Sequence, residues 1–162
     1  MKAVQWFFLV SLLLMGIDAG IFVGAQIGQV SVQAAADAAH FIWLKQQLEF
    51  AFGSIMPILV IPAAVLPIPL LFLLGDRRSA PYWLVAVSVA LWVAAIVVTL
   101  VINEPVNVQS RLWDLSQPPV ADWAELRARW HLGQGIRTVL TTSGFASLLI
   151  SVLLSSNANS RN

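Results

Sequence analysis

Cysteine is absent from this 162-residue chain, and charge is scarce: nine Lys or Arg stand against eight Asp or Glu, for a net charge of +1. Without cysteine there is no disulfide, no thiolate nucleophile and no thiolate metal ligand. A soluble domain carries about 25% charged residues, so at 10% this chain falls outside that class. A near-neutral balance, with no basic patch interleaved with aromatics, gives no footing for nucleic acid, and no nucleic-acid partner is expected. Histidine occurs only as His40 and His131. Asp18, Asp37, Glu49 and Glu104 are the carboxylates at hand, but no spacing matches a metal motif, so no metal is expected.

What is present is apolar: 59% hydrophobic residues and a mean hydropathy of +0.81. A spanning helix needs about 20 mostly apolar residues. Four runs qualify, near 5–30, 51–74, 81–102 and 135–155, leaving extramembrane segments near 31–50 and 103–134. The sequence therefore predicts an all-α fold. It is a single integral membrane domain over 1–162, a four-helix bundle with extramembrane helical segments capping one end. Met1-Lys2 and the run from Trp6 to Gly16 have the start of a signal peptide, with Ala34-Ala35-Ala36 as a cleavage site. The apolar stretch continues to Val30, however, and favours a retained first span.

In that span Gly16, Gly20, Gly24 and Gly28 recur every four residues and line one helix face. Such a stripe lets a neighbouring backbone approach, within the bundle, in a homo-oligomer or against a partner helix. Asp18 lies mid-span, where a carboxyl group faces a bundle interior or a cavity; with Gln26 and Gln29 it is the sole hint of a transport path. From 31 to 50, Gln33, Asp37, His40 and Gln47 fall near one face and Phe41, Leu44 and Leu48 near another. That pattern predicts one helix at the interface. Pro57, Pro62, Pro67 and Pro69 predict a second span kinked, or broken near Pro67. Gly75 to Ala80 reads as a tight polar turn, after which Pro81 opens the third span. The Arg77-Arg78 turn, with Lys2 and Arg161, points to both termini cytoplasmic in a plasma (inner) membrane.

The stretch from Asn103 to Arg137 holds eight of the seventeen charged residues, three of seven tryptophans and one histidine. Pro118-Pro119 divides it, and a helical pattern resumes from Asp122. If that helix continues past Gly133 and Gly135, then Arg127, His131, Gln134 and Thr138 share a face. An imidazole, guanidinium groups, amides and aromatic plates at the mouth of a bundle suit a flat, apolar small molecule. Each residue also has a plain reading: Asn103 and Asn107 as helix caps, Arg137 as a headgroup anchor, the tryptophans as an interfacial belt.

Asn103-x-Pro105-x-Asn107, then Trp123, Arg127, Trp130-His131 and Arg137-Thr138, resemble the anthrone oxygenase-like family of four-span membrane proteins. Ala19-Gly20 and Met56-Pro57 are similar too, and the likeness extends over nearly the whole chain. It implies an oxygenase that needs no metal or organic cofactor, takes molecular oxygen as co-substrate, and acts on an anthrone-like or other apolar polycyclic aromatic. On that reading His131 is the general base. Arg137 with Asn107 or Asn103 holds the enolate oxygen. Trp113, Trp123, Trp130, Arg127, Gln134 and Asp18 complete the substrate site. The competing expectation is a non-enzymatic protein that binds a lipid, a quinone or a partner helix.

Overall fold

The computed structural model describes residues 2–117 and 121–159. The expected break at Pro118-Pro119, and Arg161 with the end of the polar tail, lie outside the described residues. Among the described residues there is helix and no strand, and four helical stretches are long and apolar enough to cross a membrane: Ala3–Ala35, Ile55–Leu73, Ala80–Leu112 and Trp123–Ser156. This is an all-helical, four-span membrane protein.

Helix α1 (Lys2–Gly24) runs without interruption through a π turn (Ala25–Gln29) into α2 (Val30–Ala35). The helix expected over 31–50 is in fact split. Asp37 takes an extended backbone conformation, and its side chain accepts the backbone N–H of His40. It thereby caps α3 (Ala38–Phe52) and separates it from α2. The same carboxylate holds the His40 ring at 2.9 Å. Those two hydrogen bonds keep it below the ordinary Asp range.

The second span is α4 (Ile55–Val65) and α5 (Leu70–Leu73). Pro67 has no N–H to give the carbonyl four residues back. Shorter i→i+3 bonds, from Ile68 to Val65 and from Leu70 to Pro67, carry the chain across the break. In the next turn the Ser79 hydroxyl accepts from the Tyr82 N–H and donates to the Asp76 carbonyl, starting α6 (Ala80–Val98).

The third span outlasts its expected end at 102. It passes through a second π turn (Thr99–Asn103) into α7 (Glu104–Leu112). Pro105 leaves the Val101 carbonyl without its helical donor, and the Arg129 guanidinium supplies one at 3.1 Å. Helix α8 (Trp123–Asn159) then joins the expected cap helix to the fourth span in a single rod.

Helices α6 and α8 share the largest contact in the molecule, followed by α1 and α8. Two glycines make the closeness feasible. A Cβ at Gly144 would meet the Trp92 ring at 2.6 Å, and one at Gly133 would enter the Asn103 amide. Ser88 donates to the Gly144 carbonyl at 2.8 Å, and Ser151 to that of Pro81 at 2.9 Å. Only Gly16 of the glycine stripe packs within the chain, on Phe145; Gly20, Gly24 and Gly28 are exposed and meet nothing.

Later residues of α8 touch earlier residues of both α1 and α6, so α8 runs antiparallel to each. One apolar core joins Phe8, Met15, Leu70, Val85, Trp92 and Leu148 near the chain-terminal end. The opposite end is closed by α2, α3, α7 and the start of α8, around Val106, Leu126 and Trp130.

Candidate functional site

Beneath that cap lies a cavity of about 260 Å³. Its lower wall is apolar, with Phe22, Leu48, Phe52, Met56, Val60 and Ile96; its roof is polar, with Lys45, Glu49, Glu104, Asn107, Gln134 and Arg137. Both π turns border it, through Ala25 and Gln29 on one side and Thr99 on the other. A π turn adds a residue to the helical repeat and is frequent at functional sites. Ile61 and Leu100 also line the cavity, yet they are 55% and 62% exposed on the outer surface of the spans. The cavity is therefore open on its bilayer flank.

The roof contains a closed ring of polar contacts. Lys45 Nζ donates to Asn107 Oδ1 at 2.6 Å, and Asn107 Nδ2 donates to Glu104 Oε2 at 3.0 Å. Arg111 bridges Glu104 Oε1 at 2.7 Å and Glu49 Oε1 at 2.6 Å. Glu49 Oε2 returns to Lys45 Nζ at 3.5 Å. Trp130 adds its indole N–H to Asn107 Oδ1 at 2.9 Å and lays its ring 4.6 Å from Lys45 Nζ. Lys45 is only 2% exposed. Burial lowers its ammonium to about 8, the nearby Glu49 opposing that shift and the Arg137 charge adding to it.

Arg137 stands outside this ring. It is 9% exposed and donates only to neutral oxygens, those of Gln134 and Thr99, while its Nε has no partner. Its guanidinium lies 5.2 Å from the Phe22 ring centre and 5.9 Å from that of Trp130. Among the described residues no carboxylate pairs with it. Lys45, Arg111 and Arg137 thus face two carboxylates, which leaves the roof one positive charge in excess.

Of the residues nominated from sequence, Asn107, Trp130, Gln134 and Arg137 line the cavity. The others lie elsewhere. His131 turns to Gln33, with Nε2 3.1 Å from its Oε1, and meets Trp130 edge-on. Arg127 donates to the carbonyls of Gln33, Ala34 and Ala36, closing the end of α2. Trp113 and Trp123 pack on Phe41, and Trp123 also stacks under Arg127 at 4.6 Å. Asn103 is buried against Gly133 and donates to the Trp130 carbonyl at 3.0 Å. Asp18 lies one helical turn before Phe22, fully buried, with neither oxygen bonded.

Lys45, Thr99 and Phe22 are cavity residues that the pattern of the sequence did not single out, and Glu49 and Glu104 came forward from it only as carboxylates at hand for a metal. A signal for Lys45 was present. Phe41, Lys45, Leu48 and Phe52 fall at helical spacing on one face, so a lysine interrupts an apolar stripe.

Fold and site together define a four-span membrane protein with a lipid-flanked apolar cavity under a cationic roof. The family model described as anthrone oxygenase matches residues 48–147, more than half of the chain, and the chain belongs to that family. The match takes in the end of α3, all of α4, α5, α6 and α7, and most of α8. No curated protein and no solved structure matches the chain. Family membership supports an oxygenase-like function.

Proposed function

We propose that this protein oxygenates a flat, weakly acidic aromatic ketone of the anthrone class within the cavity under the cap. One observation carries the reading: Arg137 is a buried guanidinium at the cavity that donates only to neutral oxygens and pairs with no carboxylate among the described residues. A buried charge without a counter-charge is costly, and an oxyanion that develops on the ligand would offset that cost. Phe22 and Trp130 offer faces for the rings.

In the proposed reaction a base takes one proton from the methylene carbon opposite the ketone. The electron pair moves through the ring onto the ketone oxygen, which Arg137 and Gln134 hold. The resulting anion gives electrons to molecular oxygen, forming a carbon–oxygen bond and, after protonation, a hydroperoxide. Loss of the second methylene proton with cleavage of the O–O bond yields the quinone and water. One molecule of anthrone and one of oxygen thus give one quinone and one water. No resident metal or organic cofactor enters these steps. His131, nominated by the sequence, and Lys45, in the cavity roof, are the two candidates for the base.

Oxygen uptake by detergent-purified protein with anthrone, beside a chelator-treated sample and Arg137→Met, tests the proposal. Uptake above the spontaneous rate that survives chelation and is lost in the variant is the expected result. Uptake equal in the variant and the parent overturns it. No uptake in any sample also overturns it, and would leave the cavity as a site for an apolar anion such as a lipid or a reduced quinone.

We place both termini on the cytoplasmic side of the inner membrane. Arg77 and Arg78 lie in the turn at the terminal end, and no ion pair among the described residues uses them. The cationic groups of the cap are engaged: Lys45 and Arg111 with carboxylates, Arg127 and Arg129 with carbonyls. Free arginines in a short loop are what the positive-inside rule counts.

A further inference from the structure

We propose that Lys45 is the base that removes the substrate's acidic proton, an assignment that rests on the oxygenase reading of the same cavity. Three features converge on it. It is an amine in the cavity roof, whereas His131 is not among the lining residues and spends Nε2 on Gln33. Its position is fixed from both sides, by Asn107 Oδ1 at 2.6 Å and Glu49 Oε2 at 3.5 Å. The Trp130 ring covers it at 4.6 Å, so a ligand resting on that indole lies beside the amine.

The charge count fits the step. With Lys45 neutral, Arg111 and Arg137 balance Glu49 and Glu104, and an uncharged ketone enters a neutral roof. The lone pair on Nζ takes the methylene proton, the C–H electrons pass to the ketone oxygen, and an ammonium and an enolate form together. The ammonium stays within reach of Glu49 and Asn107, while the enolate oxygen belongs to Arg137. Net charge in the cavity is unchanged.

The groups that set Lys45's protonation are Glu49 on its own helix, Glu104 and Arg111 on α7, and Arg137 on α8. Because burial brings this amine down to about 8, the neutral form grows as pH rises through that value. The proton-transfer rate is then expected to rise with pH and level off above about 8. A histidine base would level off lower, at or below its ordinary value of about 6.5.

Proton removal separates from oxygen chemistry in an anaerobic experiment: deuterium exchange of the anthrone methylene in D2O under argon, followed by mass spectrometry. The parent protein is expected to accelerate exchange with a pH midpoint of about 8 that persists in His131→Ala, and Lys45→Met to lose at least about a hundredfold of that acceleration. Folded Lys45→Met that exchanges like the parent overturns the assignment, as does a midpoint at or below about 6.5 that disappears in His131→Ala. If Lys45→Met does not fold, the pH midpoint decides. Glu49→Gln removes a carboxylate that favours the ammonium, so the midpoint must fall below that of the parent; an unmoved midpoint overturns the proposal. Exchange without oxygen uptake keeps Lys45 as base and removes the oxygenase reading. Neither exchange nor uptake above the spontaneous rates removes both.

Discussion

The two ends of this bundle are held by different physics. At the end where the termini meet, Phe8, Met15, Leu70, Val85, Trp92 and Leu148 fill the space between the helices. The hydroxyls of Ser88 and Ser151 reach backbone carbonyls across α6 and α8. In lipid, where apolar burial offers little between helices, close packing of small residues and such hydrogen bonds drive association. At the other end an ionic ring, Trp130 and two π turns border open space. Within that end two arginines differ just as sharply. Arg127 spends its guanidinium on three carbonyls at the end of α2. Arg137 is more deeply buried and keeps Nε without a partner. The unsatisfied group lies at the cavity.

The contrast between the arginines is broken most directly by exchanging each for methionine. Arg137→Met is expected to lower oxygen uptake on anthrone about a hundredfold, since one preorganised donor contributes on the order of 3 kcal/mol to an oxyanion. Arg127→Met is expected to keep uptake within about threefold and to lower unfolding stability by about 1 kcal/mol, because it frees carbonyls at a helix C-terminus. Oxygen-electrode rates and thermal melting on the same preparations check both. Equal loss of turnover in the two would erase the distinction drawn here.

The packed end is sharpened through its glycines. Gly144→Ala drives a methyl group into Trp92, and Gly133→Ala drives one into Asn103. Each is expected to destabilise by about 1–3 kcal/mol, the usual cost of overpacking, seen as a lower melting temperature by circular dichroism in detergent. Gly20→Ala meets nothing within 4 Å and should melt no lower than the parent. If it melts lower, that face is covered in the assembled protein.

The smallest effect separates the two ends by location. The chain has no native cysteine, so single substitutions Ser79→Cys and Ser116→Cys report position without background. In sealed inside-out vesicles a membrane-impermeant maleimide should label position 79 and spare position 116. The reverse pattern would invert the proposed orientation.

Periodicity and hydropathy carried much of this fold. Four apolar runs needed only their length and the loss of backbone solvation in lipid to become four helices, and Pro67 marked the break in the second. Boundaries were less legible. The third span continues to Leu112 because Arg129, distant in sequence, replaces the donor that Pro105 lacks. The helix expected over 31–50 divides because Asp37 finds a capping geometry that competes with continuation. Those outcomes depend on which group arrives to satisfy a backbone atom.

The site was legible in part for the same reason. Asn107, Trp130, Gln134 and Arg137 lie within one charged stretch near the start of the last span, and the sequence brought them forward together. Lys45 and Glu49 lie some sixty residues upstream of their partners on α7, and only the docking of α3 beside α7, fixed by Gln46 donating to the carbonyls of Ser110 and Trp113, brings them to the cavity. The sequence by itself determined a four-span helical membrane protein with most of its charge at one end. Tertiary structure decided which charges are spent on one another or on the backbone and which one is left without a counter-charge. Hydrophobic length is a local property of a segment, whereas compensation of a buried charge depends on every element that packs around it.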